Sequence, residues 1–212
     1  MSRPEGLVVS VRAYVLGSGG HARVVVSAMQ AAGTTVMGVF DDDPARMGAD
    51  VDGVPVLGRL GEHLPLDAPL VLAIGSNAVR ARLAAALEGQ VEWATVVHPT
   101  AWVHRTVRLG MGTVVFAGAI VQPGTTIGMH AIVNTGACID HDGQVGDFVH
   151  IAPGCHLAGT VVLGDGVFCG VGTSIVPGVT VGAWTTVGAG GVVVSDLPEK
   201  VVAVGVPARV RP

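Results

Sequence analysis

The sequence is poor in aromatic residues and in charge, and both shortages narrow what the protein can be. Aromatic residues make up 4% of the 212 residues and charged residues 13%, with a formal net charge of −4. So few basic residues offer no stripe for a nucleic-acid backbone or an anionic membrane surface. We therefore expect small molecules and other copies of the chain as partners, and neither nucleic acid nor a membrane.

Long apolar runs and paired cysteines are also missing. Every apolar run is broken by Gly, Pro or a charge well before the ~20 residues needed to cross a bilayer, and the N-terminal stretch has no apolar segment followed by a small-residue cleavage site. Cys138, Cys155 and Cys169 are odd in number and lack CxxC spacing, so neither disulfides nor a cysteine zinc site is expected. We predict a soluble, cytoplasmic protein that needs no metal.

Residues 1–98 alternate strand-like and helix-like segments. The β-branched runs YVLG, TVMGVF and PLVLAIG alternate with helices expected over 20–32, near 57–64 and over 77–87. This alternation predicts a parallel α/β sheet. Its size is half that of a full dinucleotide-binding fold.

From residue 97 onward, an aliphatic residue or a cysteine recurs at every sixth position. A small or β-branched residue often follows four positions later, as at Thr113, and Gly often follows one position later, as at Gly110. A hexapeptide period is typical of parallel β-helices, in which residues 18 apart stack about 4.8 Å from each other. We expect the anchors to fill the prism and the glycines to support its tight corners. The anchors are Val97, Val103, Leu109, Val115, Val121, Ile127, Val133, Ile139, Val145, Ile151, Leu157, Leu163, Cys169, Ile175, Val181, Val187 and Val193.

The most reactive side chains lie between residues 134 and 159. His141 is flanked by Asp140 and Asp142, and a carboxylate bonded to one ring nitrogen would fix the tautomer of a general base. We favour Asp142 as that partner, because Gly143 allows a turn there, while Asp140 remains open. His150 follows nine residues later, too far along the coil to share one reacting carbonyl with His141 of its own chain. The two could meet across a subunit boundary, which predicts a symmetric assembly.

A glycine-rich loop near the N-terminus suggests a phosphate site. Gly17, Gly19 and Ala22 satisfy G-x-G-x-x-G/A, and Asp41 and Asp42 follow about 20 residues later. Read literally, this is a nicotinamide fingerprint, but the domain is only half-sized and the β-helix adds no second lobe for hydride transfer. Free N–H groups at a helix start bind any phosphate, including that of a sugar nucleotide.

The motifs GSGGHARVV, VFDDD, LAIGSN, IDHD and GVPAR together resemble the NeuD/PglD-type bacterial sugar acyltransferases over nearly the whole chain. The resemblance implies a Rossmann-like nucleotide-sugar domain over 1–98, a left-handed β-helix over 99–212, and a homotrimer with active sites between subunits. It also implies acetyl transfer from acetyl-CoA to the 4-amino group of a nucleotide-linked 4-amino-4,6-dideoxysugar for surface glycan (O-antigen) synthesis. GDP-perosamine is favoured and a UDP-linked sugar comes next.

The resemblance also implies roles for individual residues. His141 and Asp142 are expected to be catalytic, although a close relative would have Glu in place of Asp142. The expected acetyl-CoA contacts are His150, Gly159, Gly190 and Arg209. The expected substrate contacts are Ser18, Gly19, Gly20, His21, Asp41, Asp42, Gly75, Asn77 and Asn134.

Three other functions compete with this one. A γ-type carbonic anhydrase shares the hexapeptide prism, but His141, His150 and His156 lack the H-x4-H spacing expected of its zinc site. A non-catalytic scaffold would make the histidines incidental. O-acetylation of a sialic-acid-like hydroxyl lies within the same family, and only the resemblance favours the amine.

Overall fold

In the computed structural model, which describes residues 12–64 and 66–211, the chain begins with an α/β sheet. The strand order is β3-β4-β2-β1-β5, and all pairs are parallel except the β3–β4 hairpin. The predicted parallel sheet is confirmed, with an antiparallel hairpin added at one edge. The elements are β1 (Arg12–Leu16), α1 (Gly20–Ala31), β2 (Thr35–Phe40), β3 (Asp50–Val51), β4 (Val54–Gly58), β5 (Leu70–Leu72) and α2 (Asn77–Ala86).

The prediction of a helix near 57–64 is wrong. Strand β4 runs to Gly58, and only a single 3-10 turn, Leu60–Glu62, follows it. Gly58 has φ of 117°, a conformation that no helix accepts, and its carbonyl receives a hydrogen bond from Asp41 N–H at 2.9 Å. Pairing with β2 therefore overrides the local helical pattern.

Two-residue strands recur every six residues after the α/β sheet and stack into three parallel sheets. The domain-facing sheet contains β6, β9, β12, β15, β18 and β21 and is extended by β23 and β24. The second sheet contains β7, β10, β13, β16, β19 and β22, and the third contains β8, β11, β14, β17 and β20. The strands are β6 (Val96–Val97), β7 (Trp102–Val103), β8 (Arg108–Leu109), β9 (Val114–Val115), β10 (Ile120–Val121), β11 (Thr126–Ile127), β12 (Ile132–Val133), β13 (Cys138–Ile139), β14 (Gln144–Val145), β15 (His150–Ile151), β16 (His156–Leu157), β17 (Val162–Leu163), β18 (Phe168–Cys169), β19 (Ser174–Ile175), β20 (Thr180–Val181), β21 (Thr186–Val187), β22 (Val192–Val193), β23 (Val202–Val204) and β24 (Arg209–Val210).

The register of these strands matches the predicted coil length. Val115 pairs with Val133 and Val133 with Ile151, a step of 18 residues, and their side chains are fully buried inside the prism. Interior threonines bond to the backbone of the next coil, as Thr113 Oγ1 does to the Gly128 carbonyl at 2.8 Å. The predicted β-helix is confirmed.

The glycines that follow the anchors do not form the corners. Gly110 and Gly128 lie outside the left-handed region, and a Cβ on Gly110 would overlap the backbone of Gly128 in the next coil. Close stacking of coils therefore excludes a side chain at these positions. The corners use other residues with positive φ, most of them glycines.

Three corners join the three sheets. The near corner, between the third and domain-facing sheets, contains His130 and Phe148. The far corner, between the second and third sheets, contains Asp142 and Thr160, and it is the edge of the prism opposite the domain-facing sheet. The remaining corner includes Gly190.

The α/β domain packs on one face of the prism. Val25 and Ala22 of α1 share a buried cluster with Val96, Val114 and Ile132, whose side chains point outward from the domain-facing sheet. Strand β6, within residues 1–98, already pairs with β9 of the β-helix. Within the described ranges, no helix is long and apolar enough to cross a membrane.

Candidate active site

The glycine-rich loop opens into a cavity of about 290 Å³ at the start of α1. Gly19 caps this helix, and within the described residues the N–H groups of Gly20 and His21 have no acceptor and remain available to an anion, while the Ala22 N–H donates to the Gly19 carbonyl at 2.9 Å. A Cβ on Gly19 or Gly20 would meet nothing within 4 Å, which leaves open space for a ligand. The cavity is lined by Ser18, Gly19, Gly20, Arg23, Arg46, Asp50, Val51 and Asp52.

Asp41 holds this loop in place. Its Oδ2 accepts hydrogen bonds from Ser18 N–H at 2.8 Å and Ser18 Oγ–H at 2.6 Å, and its Oδ1 accepts from Asp43 N–H at 2.9 Å. Burial raises the pKa of Asp41, but the bonds from Ser18 and Asp43 outweigh it and leave the pKa below its usual value. Both oxygens thus organise the loop, and contact of Asp41 with the substrate stays a prediction. Asp42 is exposed and does not line the cavity.

Two arginines of the cavity were not predicted. Arg23 Nε donates to Asp52 Oδ1 at 3.1 Å, and Arg46 also lines the cavity. The two guanidinium groups can donate to an anionic ligand beside the free N–H groups of α1, although Asp50 and Asp52 balance their charge. A sequence signal existed, because Arg23 follows the glycine motif by one helical turn.

A buried arginine joins the α/β domain to the β-helix. Arg80 of α2 is 1% exposed, and its guanidinium donates to the carbonyls of Ile74, Gly75, His130, Phe148 and Val149 at 2.8–3.4 Å. Burial lowers its pKa to about 10, so the group stays charged at neutral pH. Arg80 was not singled out from the sequence, since the carbonyls of the near corner leave no mark in the residue pattern.

The other residues predicted to contact substrate lie along the same junction. Asn77 Nδ2 donates to the carbonyls of Gly166 and Val167 at 3.0 and 3.1 Å, which leaves Oδ1 unpaired. The His21 ring contacts those of Phe116 and His150, and burial lowers the pKa of His21 to about 4. These residues do not line the glycine-loop cavity; they lie between the domain and the β-helix.

His141 lies at the far corner beside Asp142. Asp142 has φ of 57°, and this turn brings its Oδ2 to 2.9 Å from His141 Nδ1. Asp140 Oδ1 instead accepts the backbone N–H of His141 at 2.8 Å. The hydrogen bond to Asp142 raises the pKa of His141 against slight desolvation, and the charges of Asp140 and Asp142 add to it. Nδ1 therefore carries the proton toward Asp142, and Nε2 is left as an acceptor.

Gly159 lies under the His141 ring, one coil further along. A Cβ on Gly159 would lie 2.6 Å from His141 Nε2 and 2.7 Å from Cε1. Among residues 12–64 and 66–211, the Gly159 N–H has no acceptor. The free nitrogen of His141 and this free N–H are thus close together at an exposed edge.

The predicted acetyl-CoA contacts are spread over the prism. Gly159 is at the far corner, Gly190 is at the corner beyond the domain-facing sheet, and Arg209 is exposed on β24 at the C-terminal end. His150 points outward from the domain-facing sheet and is covered by the α/β domain. One protomer does not bring these residues together.

Metal ligands are not grouped in one protomer. Within the described part of the chain, no three His, Cys, Asp or Glu side chains are arranged to hold a metal ion. His141, on the far corner, and His150, under the α/β domain, are on different sides of the prism. Among the described residues of one protomer, the zinc alternative therefore has no ligand set.

Comparison with known proteins agrees with this architecture. Residues 12–87 match the model of the PglD N-terminal domain. The structure of the H141N mutant of perosamine N-acetyltransferase from Caulobacter crescentus, in complex with CoA and GDP-perosamine, is 41% identical, covers 100% of both chains and has a TM-score of 0.88. The acetyltransferase domain of PglB from Neisseria gonorrhoeae in complex with acetyl coenzyme A is 35% identical over 94% of this chain and 98% of that chain, with a TM-score of 0.86.

Curated relatives match over a shorter stretch. The UDP-N-acetylbacillosamine N-acetyltransferase of Bacillus subtilis is 37% identical over 108 residues, which are 49% of this chain and 50% of that protein. An uncharacterised protein of Acanthamoeba polyphaga mimivirus is 28% identical over 50% of this chain and 21% of its own length. The chain thus matches half or less of the length of each of these two relatives.

The α/β domain with its glycine loop and the β-helix with its corner histidine define a hexapeptide-repeat acyltransferase. The full-length likeness to a perosamine N-acetyltransferase narrows this class: the chain belongs to the PglD-type family of sugar N-acetyltransferases. The predicted family and enzyme class are confirmed.

Proposed function

We propose that the protein transfers the acetyl group of acetyl-CoA to the 4-amino group of a nucleotide-linked 4-amino-4,6-dideoxysugar, with GDP-perosamine as the favoured acceptor. The observation that carries the proposal is the His141 ring, whose Nδ1 is held by Asp142 while its Nε2 is free beside the open N–H of Gly159. The full-length likeness to an enzyme solved with CoA and GDP-perosamine supports the substrate pair.

In this mechanism, His141 acts as general base for direct transfer. Its Nε2 takes a proton from the sugar amine as the nitrogen forms a bond to the thioester carbonyl carbon. Asp142 stabilises the imidazolium that results. The C–S bond then breaks, and the departing thiolate takes the proton from His141. The N–H of Gly159 is suitably placed to stabilise the negative oxygen that develops during attack.

The positions of the two sites support a subunit boundary. The glycine-loop cavity belongs to the α/β domain, which covers the domain-facing sheet, while His141 lies on the opposite edge of the prism. A sugar nucleotide bound in that cavity therefore meets the His141 of a neighbouring protomer. We propose a homotrimer in the cytoplasm, and its mass in solution tests the assembly.

The same geometry supports a shared acetyl-CoA groove. Gly159 and Gly190 belong to different corners of one prism, so they line one groove only when they come from two protomers. We propose that Arg209, exposed on β24, contacts the phosphates of the coenzyme from the C-terminal end. His141 is 57% exposed in a single chain, and a neighbouring subunit would shield it from water.

A comparative assay tests the proposed function. Thiol release from acetyl-CoA is measured with GDP-linked and UDP-linked 4-amino-4,6-dideoxysugars and with a sialic acid as the hydroxyl acceptor. We expect the highest kcat/KM with the GDP-linked amine. Preference for the UDP-linked sugar would replace GDP with UDP in the proposed acceptor, and preference for the sialic acid would identify the protein as an O-acetyltransferase. If none of the acceptors caused thiol release, the proposal would be overturned.

The pH dependence tests the role of Asp142. The base must be neutral, so kcat/KM falls as the pH drops through the raised pKa of His141. Replacing Asp142 with Asn exchanges the charged hydrogen bond that raises this pKa for a neutral one, so we expect the acid limb to move to lower pH and the plateau rate to fall. The matched variant, Asp140→Asn, keeps an oxygen for the His141 N–H and should move the limb less. An acid limb at the wild-type position in Asp142→Asn would contradict the assignment.

Gly159→Ala tests whether His141 needs the space that the missing side chain of Gly159 leaves next to its ring. Its backbone conformation accepts alanine, but the new Cβ would lie 2.6 Å from Nε2, so the exposed ring must move away. Because misplacement by about 1 Å can cost about 10²-fold in rate, we expect a fall of that size in kcat with an unchanged melting temperature. Wild-type kcat in the folded variant would show that His141 does not need this position.

A further inference from the structure

His150 is an imidazole that follows three aliphatic residues in one outward-facing column. On the domain-facing sheet the outward residues at 18-residue steps are Val96, Val114 and Ile132, then His150, and then Phe168 and Thr186. The α/β domain covers His150, and 8% of its surface is exposed. An imidazole in this place needs polar partners, and it has one on each nitrogen.

The two hydrogen-bond partners of His150 determine which ring nitrogen donates and which accepts. Gly75 carbonyl oxygen lies 3.2 Å from Nδ1 and can only accept, so Nδ1 carries a proton. Asn134 Oδ1 accepts from Thr135 N–H at 2.8 Å, which fixes Nδ2 as the amide atom 3.1 Å from His150 Nε2. Nδ2 can only donate, so Nε2 is an acceptor. His150 is therefore a neutral imidazole with its proton on Nδ1.

This arrangement leaves His150 no proton for an acetyl oxygen. Its only N–H is used by Gly75, and the lone pair of Nε2 is used by Asn134. Burial lowers its pKa to about 4, which keeps the ring neutral although the Gly75 bond opposes the shift. The contact with acetyl-CoA that the family resemblance implied for His150 would therefore have to be made without a hydrogen bond donated by its ring.

We infer instead that His150 is a positioning residue, which links the β5–α2 loop of the nucleotide-sugar domain to the side chain of Asn134. Gly75 is itself fixed by Arg80 Nη1 at 3.0 Å, so the loop is a rigid support. The bond from Asn134 to His150 uses one Nδ2 hydrogen, and the second, on a partly exposed side chain, is directed to an acceptor oxygen of the sugar. The sugar role rests on the proposed function; the direction of the hydrogen bonds does not.

Nitrogen NMR of the full-length protein tests the hydrogen-bond chain without any turnover. Long-range proton–nitrogen spectra report the tautomer of each imidazole, and the His150 signals are assigned by their loss in His150→Gln. We expect the neutral form with the proton on Nδ1 from pH 6 to pH 8. A proton on Nε2, or a charged ring at pH 7, would overturn the inference even if the enzyme acetylates the expected sugar.

Kinetics test the consequence for the sugar. An Asn side chain at 150 can still donate to Gly75 but cannot reach Asn134. We expect His150→Asn to raise KM for the nucleotide sugar about 10-fold, the usual effect of one lost hydrogen bond, with little change in KM for acetyl-CoA. Asn134→Ala should raise the same KM, and the double variant His150→Asn with Asn134→Ala should have a KM for the nucleotide sugar no higher than that of the more affected single variant.

Two results would contradict the positioning role. Effects of the single variants that multiply in the double variant would show that the two residues act separately. A raised KM for acetyl-CoA in His150→Asn would point to direct contact with the acetyl donor. If the wild-type enzyme acetylated no nucleotide amino sugar, the proposed function would fail, while the NMR result would still decide the state of His150.

Discussion

His141→Ala is expected to lower kcat by about 10²-fold to 10⁴-fold, the usual contribution of a general base, while the protein keeps its fold. The side chain is largely exposed and, among the residues that the structure describes, its ring is hydrogen-bonded to Asp142 alone, so its removal leaves no buried group unpaired. Steady-state turnover and the melting temperature measured on the same preparation separate loss of chemistry from loss of structure.

His104 provides the matched control for this experiment. It lies at the same corner of the prism two coils before Asp140, whose register position it shares, and its Nδ1 is bonded to Thr106 Oγ1 at 3.0 Å and not to a carboxylate. His104→Ala should therefore turn over at close to the wild-type rate. If both variants lost the same fraction of activity, or if His141→Ala kept more than about a tenth of it, His141 would not be the base.

Arg80→Met is expected to reduce the free energy of unfolding by about 3–5 kcal/mol, because several buried carbonyls lose their donor at a cost of about 1–3 kcal/mol each. Methionine fills much of the space but donates nothing, so the carbonyls at the near corner and in the β5–α2 loop lose their shared donor. The loss falls on the junction that holds the α/β domain against the β-helix.

Arg82 on the same helix is exposed and supplies the control. Urea denaturation followed by circular dichroism should give a free energy of unfolding for Arg82→Met within about 0.5 kcal/mol of the wild type, as for most surface substitutions. Equal stability of the two variants would mean that water replaces the guanidinium at no cost. A raised KM for the nucleotide sugar in Arg80→Met alone would show that the junction also sets the position of the sugar site.

The sequence predicted the β-helix well because its period is a local property. Each aliphatic anchor, such as Val133 or Ile151, predicts one strand, and the residue 18 positions later lies at the same place in the next coil. The helices beginning at Gly20 and Asn77 were predicted to within one residue of their ends. The segment near Leu57 failed because pairing with β2, a contact distant in sequence, decided its conformation.

The packing of the domain against the prism leaves a signal in the sequence. Val96, Val114 and Ile132 are outward-facing residues at 18-residue steps, and three aliphatic side chains in that column indicate a covered face. The same column would have shown that His150 is buried and not on a solvated surface. Arg80 differs, because its acceptors are backbone carbonyls oriented by the near corner.

For the candidate site, the sequence indicated which residues to consider and the structure adds how they are oriented. Asp142 could be preferred over Asp140 only from the glycine after it, and the left-handed turn at Asp142 supplies the physical reason. Asp41 was predicted to contact the substrate, and the structure adds that its Oδ2 accepts from Ser18 and its Oδ1 from Asp43. Side-chain direction at corners and loops depends on φ, which residue spacing does not specify.

The stacking of His141 over Gly159 restricts which insertions and deletions the β-helix can accept between them. The two residues face each other only because one full turn of the prism separates them, as it separates Cys138 from His156 beside them. Loss of one hexad between them would carry the glycine to another edge, whereas loss of a whole coil after Thr160 would leave the pair intact. In the gene, therefore, a complete coil is the smallest deletion in the β-helix that keeps every later residue on its original edge, and lineages of such enzymes should differ in length by whole coils.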